Sequence, residues 1–240
     1  MNITKRHLWQ APLVAVAMVI PSGDVHAANA QCGAFGHNLI GAFSEAENYG
    51  ARAEIEKDKP DLCAKKSVSV AWSMVAGGVT AEDVDGWAQV GYGRFGENSG
   101  HAESGMKVFT QTSRYIDSKP KTRFFPKPTG THLYEVDYKF SDGLFHLFVD
   151  GDHLAKTNWD PAASWTGDWS TQIFAETTHP GSDIVGTAAN HATFSSIKRK
   201  LRDDSWVTVS DLALTTSPSP RYHSAWVTQP TSFDVWTDPV

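Results

Sequence analysis

Asp150-Gly151 separates two short strand-like runs, Phe145-His146-Leu147-Phe148-Val149 and Asp152-His153-Leu154-Ala155-Lys156. A two-residue turn joining antiparallel strands needs positive φ at both central positions, which Asp and Gly tolerate, so the pair predicts a tight hairpin. Ser141-Asp142-Gly143 predicts a second one, between His132–Phe140 and Leu144–Val149. Further strand-like segments are Ser67–Gly77, Trp87–Tyr92, Lys107–Tyr115, Thr171–Glu176, Ala192–Lys198, Trp206–Leu214 and Ala225–Thr228, whereas Ser118–Gly130, with three prolines, reads as a surface loop. Turn signals recur at roughly 8–15-residue spacing, and neither a longer repeat nor a heptad is present. The expectation is an all-β antiparallel two-sheet β-sandwich, with a jelly roll of the concanavalin A-like kind as the specific form.

The 240 residues suit one such domain, and 40% hydrophobic with 20% charged residues is a globular composition. A formal charge of −6 argues against a nucleic-acid partner. Lys5 and Arg6 precede an apolar run of 13 residues, Leu8 to Ile20, and Val25-His26-Ala27 resembles a cleavage site. The run is shorter than the roughly 20 residues a membrane span needs. Residues 1–27 therefore read as a secretory signal peptide, the rest as an extracellular monomer with no membrane span. Cys32 and Cys63 are the two cysteines, and an even count in an exported chain predicts a disulfide. Residues 28–66, rich in Glu, Ala and Lys, read as an arm pinned by it, either extended or a short helix. The sandwich is expected over 67–200, and 201–240 as C-terminal strands and an extension packing on it.

Two segments place polar side chains on a sheet face. In Thr171 to Glu176, period-two alternation puts Gln172, Phe174 and Glu176 on one face and Thr171, Ile173 and Ala175 on the other. In Trp87 to Tyr92 it puts Trp87, Gln89 and Gly91 together, opposite Ala88, Val90 and Tyr92. A carboxylate on a half-buried sheet is hydrated, paired or used. A Glu can serve as general base toward water and return the proton to a leaving nitrogen, and a carboxamide can donate to an oxyanion. Glu176 and Gln89 are expected in those roles, facing one another across a groove. Trp72 alternates with Val68, Val70 and Met74, the more apolar set and so the expected core face; it reaches a groove only through a bulge or a strand end.

These residues carry a resemblance. Ala71-Trp72 with Gly77 is similar to the Ala-Trp-Val-Gly-Ile-Asp-Gly segment of the eqolisin-type glutamic peptidases, and Ala88-Gln89-Val90-Gly91-Tyr92 to the segment with their catalytic glutamine. Val108-Phe109-Thr110-Gln111 resembles the aromatic strand that follows, and Thr171 to Glu176 the strand ending in the catalytic glutamate. The Gly186-Thr187 to Ile197 stretch is similar to a segment of the related neprosin-type peptidases. The similarity spans about residues 68–198. It implies hydrolysis of peptide bonds at acidic pH, with Gln89 and Glu176 catalytic and Trp72, Trp87, Gln111 and Gln172 lining the substrate site. Gln111, Ala76 and Gln172 stand where the eqolisins have acidic residues.

Other chemistries find less support. The ten histidines form no HExxH or other zinc-ligand spacing. Asp150-Gly151-Asp152 is a turn rather than a calcium loop. No Gly-x-Ser-x-Gly elbow occurs. Neither metal nor cofactor is expected. Two alternatives remain: a glycan-binding module using Trp159, Trp165 and Trp169, since tryptophan faces stack on sugars, and a non-catalytic secreted sandwich. In the last, Glu176 would pair with a basic side chain.

Overall fold

The computed structural model describes residues 32–77, 85–115, 118–215 and 219–239, so the expected signal peptide lies outside the described residues. Among the described residues the regular elements are fifteen strands, in two antiparallel sheets. The first sheet runs β13 (Ala213–Leu214), β1 (Asn38–Ser44), β10 (Trp169–Thr177), β3 (Val68–Gly77), β4 (Gly86–Phe95), β5 (Gly105–Ser113), β6 (Lys121–Phe125). The second runs β14 (Tyr222–Thr228), β15 (Ser232–Thr237), β11 (Ala192–Lys200), β2 (Gly50–Glu56), β7 (Thr131–Lys139), β8 (Leu144–Val149), β9 (Asp152–Lys156), with β12 (Trp206–Thr208) also on β11. This is the expected two-sheet sandwich. No described helix is long and apolar enough to cross a membrane.

The Asp-Gly hairpin forms as its chemistry requires. Asp150 has φ of 52° and Gly151 of 86°, and β8 and β9 pair around them. A side chain at Gly151 would meet nothing within 4 Å, so its penalty is conformational alone. Gly151→Val should therefore cost about 1–2 kcal/mol in urea unfolding, and Gly151→Asn much less, because Asn tolerates positive φ. Equal costs for both would show that the turn conformation is not what Gly151 supplies.

Between the sheets lies one large apolar cluster. Ala42, Ala71, Val75, Ala88, Val90, Tyr92, Ile173 and Ala175 of the first sheet meet Ala51, Ala53, Ile55, Tyr134, Val136, Phe145, Leu147 and Phe194 of the second. Burying each large member stabilises by about 1.5–3 kcal/mol. The inward faces expected for β4 and β10 are the observed ones.

Several expectations fail for identifiable reasons. The described part of the expected arm, residues 32–66, supplies two strands of the sheets: β1 lies between β10 and β13, and β2 between β7 and β11. In β2, Ala51, Ala53 and Ile55 point inward and Arg52, Glu54 and Glu56 outward, a strand pattern masked by good helix formers. Packing decides, since a lone helix there would have no apolar stripe to bury. β1 is buried on both faces along most of its length, so it has no alternation to read. Lys121–Phe125, inside the proline-rich loop, pairs with β5 as an edge strand, where prolines nearby are tolerated. Trp206–Leu214 is two short pieces, β12 and β13, that join different sheets. The C-terminal residues extend the sheets themselves, with β15 paired to β11. The Cys32–Cys63 disulfide is formed, with the Cα atoms 5.2 Å apart.

Candidate active site

The outer face of the first sheet carries a second apolar cluster, which includes Leu39, Val68, Val70, Trp72, Met74, Trp87, Phe109 and Phe174. Trp72 thus points outward with no bulge, opposite to the expectation from alternation. All ten residues of β3 are buried, so both its faces are covered. The bulky Tyr92, Tyr134 and Phe145 fill the inter-sheet space, leaving room there only for small β3 residues such as Ala71. The larger set is displaced to the outer face.

Strand register orders that face into rows. Leu39, Glu176, Val70 and Gly93 lie across from one another, as do Phe174, Trp72, Gly91 and Phe109, and then Gln172, Met74, Gln89, Gln111 and Thr122. Trp72 therefore stands midway on the diagonal between Glu176 and Gln89. Gly91 beside it has no room for a side chain, since an added Cβ would sit 2.8 Å from the Trp72 Cβ. Glu176 and Gln89 share the face but are not bonded to one another; one strand, β3, and one side-chain row lie between them. Gln172 bonds through Nε2 to Ser170 Oγ at 3.1 Å, with Met74 between it and Gln89.

Gln89 is held in one orientation. The Trp87 indole N–H, which can only donate, gives its hydrogen bond to Gln111 Oε1 at 3.1 Å. Gln89 must then present its NH₂ to that oxygen, and does so at 2.8 Å. Gln111 completes the chain by donating to Thr122 Oγ1 at 3.1 Å. Gln89 Oε1 is left buried with no partner. The carboxamide thus offers an open acceptor and has committed one N–H, where an oxyanion donor was expected.

Glu176 is 2% exposed, with both oxygens engaged. Oε2 accepts from Trp72 Nε1 at 3.3 Å, and Oε1 is 2.5 Å from His37 Nδ1. His37 precedes β1 and has the parity of Leu39, so it stands on the same face. Burial disfavours its charge, but the hydrogen bond to Glu176 and its negative charge outweigh that, raising the His37 pKa above its ordinary value. The ring is held by Phe35, edge-on at 5.5 Å, and by the backbone bond from Gly36 N–H to Thr178 O at 3.0 Å. The disulfide fixes the chain five residues earlier, and Gly181 N–H bonds Cys32 O at 3.0 Å. Sequence reasoning missed His37 because it lies in the segment read as an arm, 139 residues from its partner. Its parity with Leu39 becomes a signal only once β1 is known.

The loop tryptophans close the end of the sandwich. Trp165 and Trp169 are buried in the inter-sheet cluster, and Trp165 packs where a Gly77 side chain would lie and donates to Arg114 O at 2.9 Å. The faces of Trp165 and Trp169 are not free for a sugar, whereas Trp159 is half-buried, its ring 5.2 Å from that of Trp165. His146 does meet His153 and Asp142, at 3.1 and 3.0 Å. Among the described residues, however, no group of three or more His, Cys, Asp or Glu is placed to hold a metal ion. A cavity of about 220 Å³ opens elsewhere, beside Phe125, His132, Val149 and Leu154.

No family model matches the sequence, and no curated protein matches it. Solved structures do. Scytalido-glutamic peptidase with a transition state analog inhibitor superposes with a TM-score of 0.57 at 10% identity, covering 85% of this chain and 100% of that one. SCP-B, a member of the eqolisin family of peptidases in complex with the tripeptide Ala-Ile-His, superposes at 0.51, also with 10% identity over 85% and 100%. The sandwich of this chain is therefore the fold of the eqolisin-type glutamic peptidases. At such identity the likeness concerns the fold alone.

Proposed function

We propose that the chain is an extracellular hydrolase of peptide bonds, working on the outer face of the first sheet, with Glu176 as the carboxylate that drives proton transfer. The observation that carries this reading is the shared face of Glu176, Trp72 and Gln89 in a fold common to two glutamic peptidases. One N–H of Gln89 is committed to Gln111, and its second N–H remains for the carbonyl oxygen. Gln111 and Trp87 act on Gln89 rather than on substrate, and Trp72 orients Glu176. Gln172 would line the substrate site.

A non-catalytic secreted sandwich is the second reading. It is favoured by the burial of Glu176 and by its basic partner, which leave no carboxylate oxygen unbonded. Cleavage of fluorescein-labelled casein between about pH 3 and pH 9, by wild type and Glu176→Gln, decides between them. Cleavage that disappears in a folded Glu176→Gln variant supports the hydrolase. No cleavage by folded wild type at any pH removes it in favour of the second reading.

A further inference from the structure

We propose that His37 is the acid–base group of this site and that Glu176 acts through it, as the carboxylate that orients the imidazole. This rests on the hydrolase reading above and names the atom that handles the proton.

Accessibility is the first argument. The His37 side chain is 11% exposed and the Glu176 side chain 3%, so solvent reaches the imidazole before the carboxylate. Water can be activated only by a group it touches.

Bonding is the second. Nδ1 faces Glu176 Oε1 at 2.5 Å, and a carboxylate accepts only from an N–H. In the neutral ring the proton is thereby held on Nδ1, and Nε2 carries the lone pair. Among the described residues Nε2 has no hydrogen-bond partner. A carboxylate behind one imidazole nitrogen, with the other nitrogen free, is the arrangement that makes His a general base.

Among the described residues the surroundings add no rival. Glu176 faces His37 from β10. His179, in the turn after β10, approaches through the shared Phe35 ring, with its own pKa lowered by burial and by the Lys66 charge. From β3 comes only the neutral indole of Trp72.

In the step, Nε2 removes a proton from water as the water oxygen attacks the amide carbonyl carbon, and the carbonyl π electrons move to oxygen. The tetrahedral species collapses, the C–N bond breaks, and the proton on Nε2 passes to the leaving nitrogen. The products are a carboxylic acid and an amine, and Glu176 does not itself take up the proton. The neutral form of His37 is the active one. Hydrolysis should therefore rise with pH through the His37 pKa, giving near-neutral rather than acidic action.

The test compares kcat/KM on labelled casein across pH 3–9 for wild type, His37→Ala and His37→Gln, the last keeping a donor toward Glu176. ¹⁵N NMR of the imidazole is recorded in wild type and Glu176→Gln. Expected are a wild-type rate that rises through a pKa above 6.5, a loss of about 10²–10⁴-fold in both His37 variants, and an Nδ1–H tautomer in neutral His37. Activity below pH 5 that survives or grows in His37→Gln would make His37 a cover over Glu176 and overturn this proposal while sparing the hydrolase reading. An Nε2–H tautomer overturns it whatever the activity. A folded wild type that cleaves nothing overturns both.

Discussion

Glu176→Gln should lower peptide-bond hydrolysis by about 10²–10⁴-fold while leaving the fold intact. Gln matches Glu in size and can still accept from the Trp72 indole, so the outer cluster is not opened. What is lost is the charge facing His37. The stability effect has a definite pH dependence. The folded-state pKa of His37 is raised, so the pair's contribution is fully present below the ordinary His value of about 6.5. It is lost as pH rises through the folded pKa. Wild type should thus exceed Glu176→Gln in stability most clearly near pH 5.5, and the gap should narrow by pH 8.5, read from urea midpoints. In the variant, burial is no longer opposed and the His37 pKa should fall below 6.5. A gap that widens with pH would contradict the ion pair.

Asp137→Ala should destabilise the sandwich by about 3–5 kcal/mol, the largest stability effect expected here. Lys200 is buried, its side chain only 3% exposed, and it reaches Asp137 Oδ1 at 2.6 Å, Asp204 Oδ1 at 2.5 Å and Tyr138 O at 2.9 Å. Asp137 is buried to the same degree, whereas the Asp204 side chain is 66% exposed. Removing Asp137 leaves the ammonium with one solvated partner and a carbonyl. Removing both charges, in Asp137→Leu with Lys200→Met, should recover much of the loss, because an apolar pair of similar volume often replaces a buried ion pair without penalty. A loss below 1 kcal/mol in Asp137→Ala would mean that Asp204 and water suffice for Lys200.

The two sites differ in how far the residues announce them. Glu176 and Gln89 could be picked out because an acid and an amide alternate with apolar residues on segments whose opposite faces are plainly core. Asp137 and Lys200 could not. They lie on β7 and β11, with β2 between them, and Lys200 crosses over Gly50, where an added Cβ would stand 3.0 Å from its own. His37 was equally hidden, because its role depends on β1 pairing with β10.

By itself the sequence determined the local geometry. Asp150-Gly151 specified a hairpin, because only certain residues accept positive φ at both positions. The alternation in β4 and β10 specified which side chains share a face, and two cysteines in a chain read as exported specified the disulfide. These depend on one residue and its near neighbours. Which strands lie side by side was decided by the tertiary structure, and so was the side of β3 that turns inward. So too were the placement of β1 and β2 inside the sheets, the meeting of His37 with Glu176, and the end of the Gln89 carboxamide that stays open. Each of these follows from packing between distant segments. Bulky rings of the second sheet admit only small partners, which turns Trp72 outward, and a donor-only indole on Trp87 sets the direction of an amide two residues along the strand.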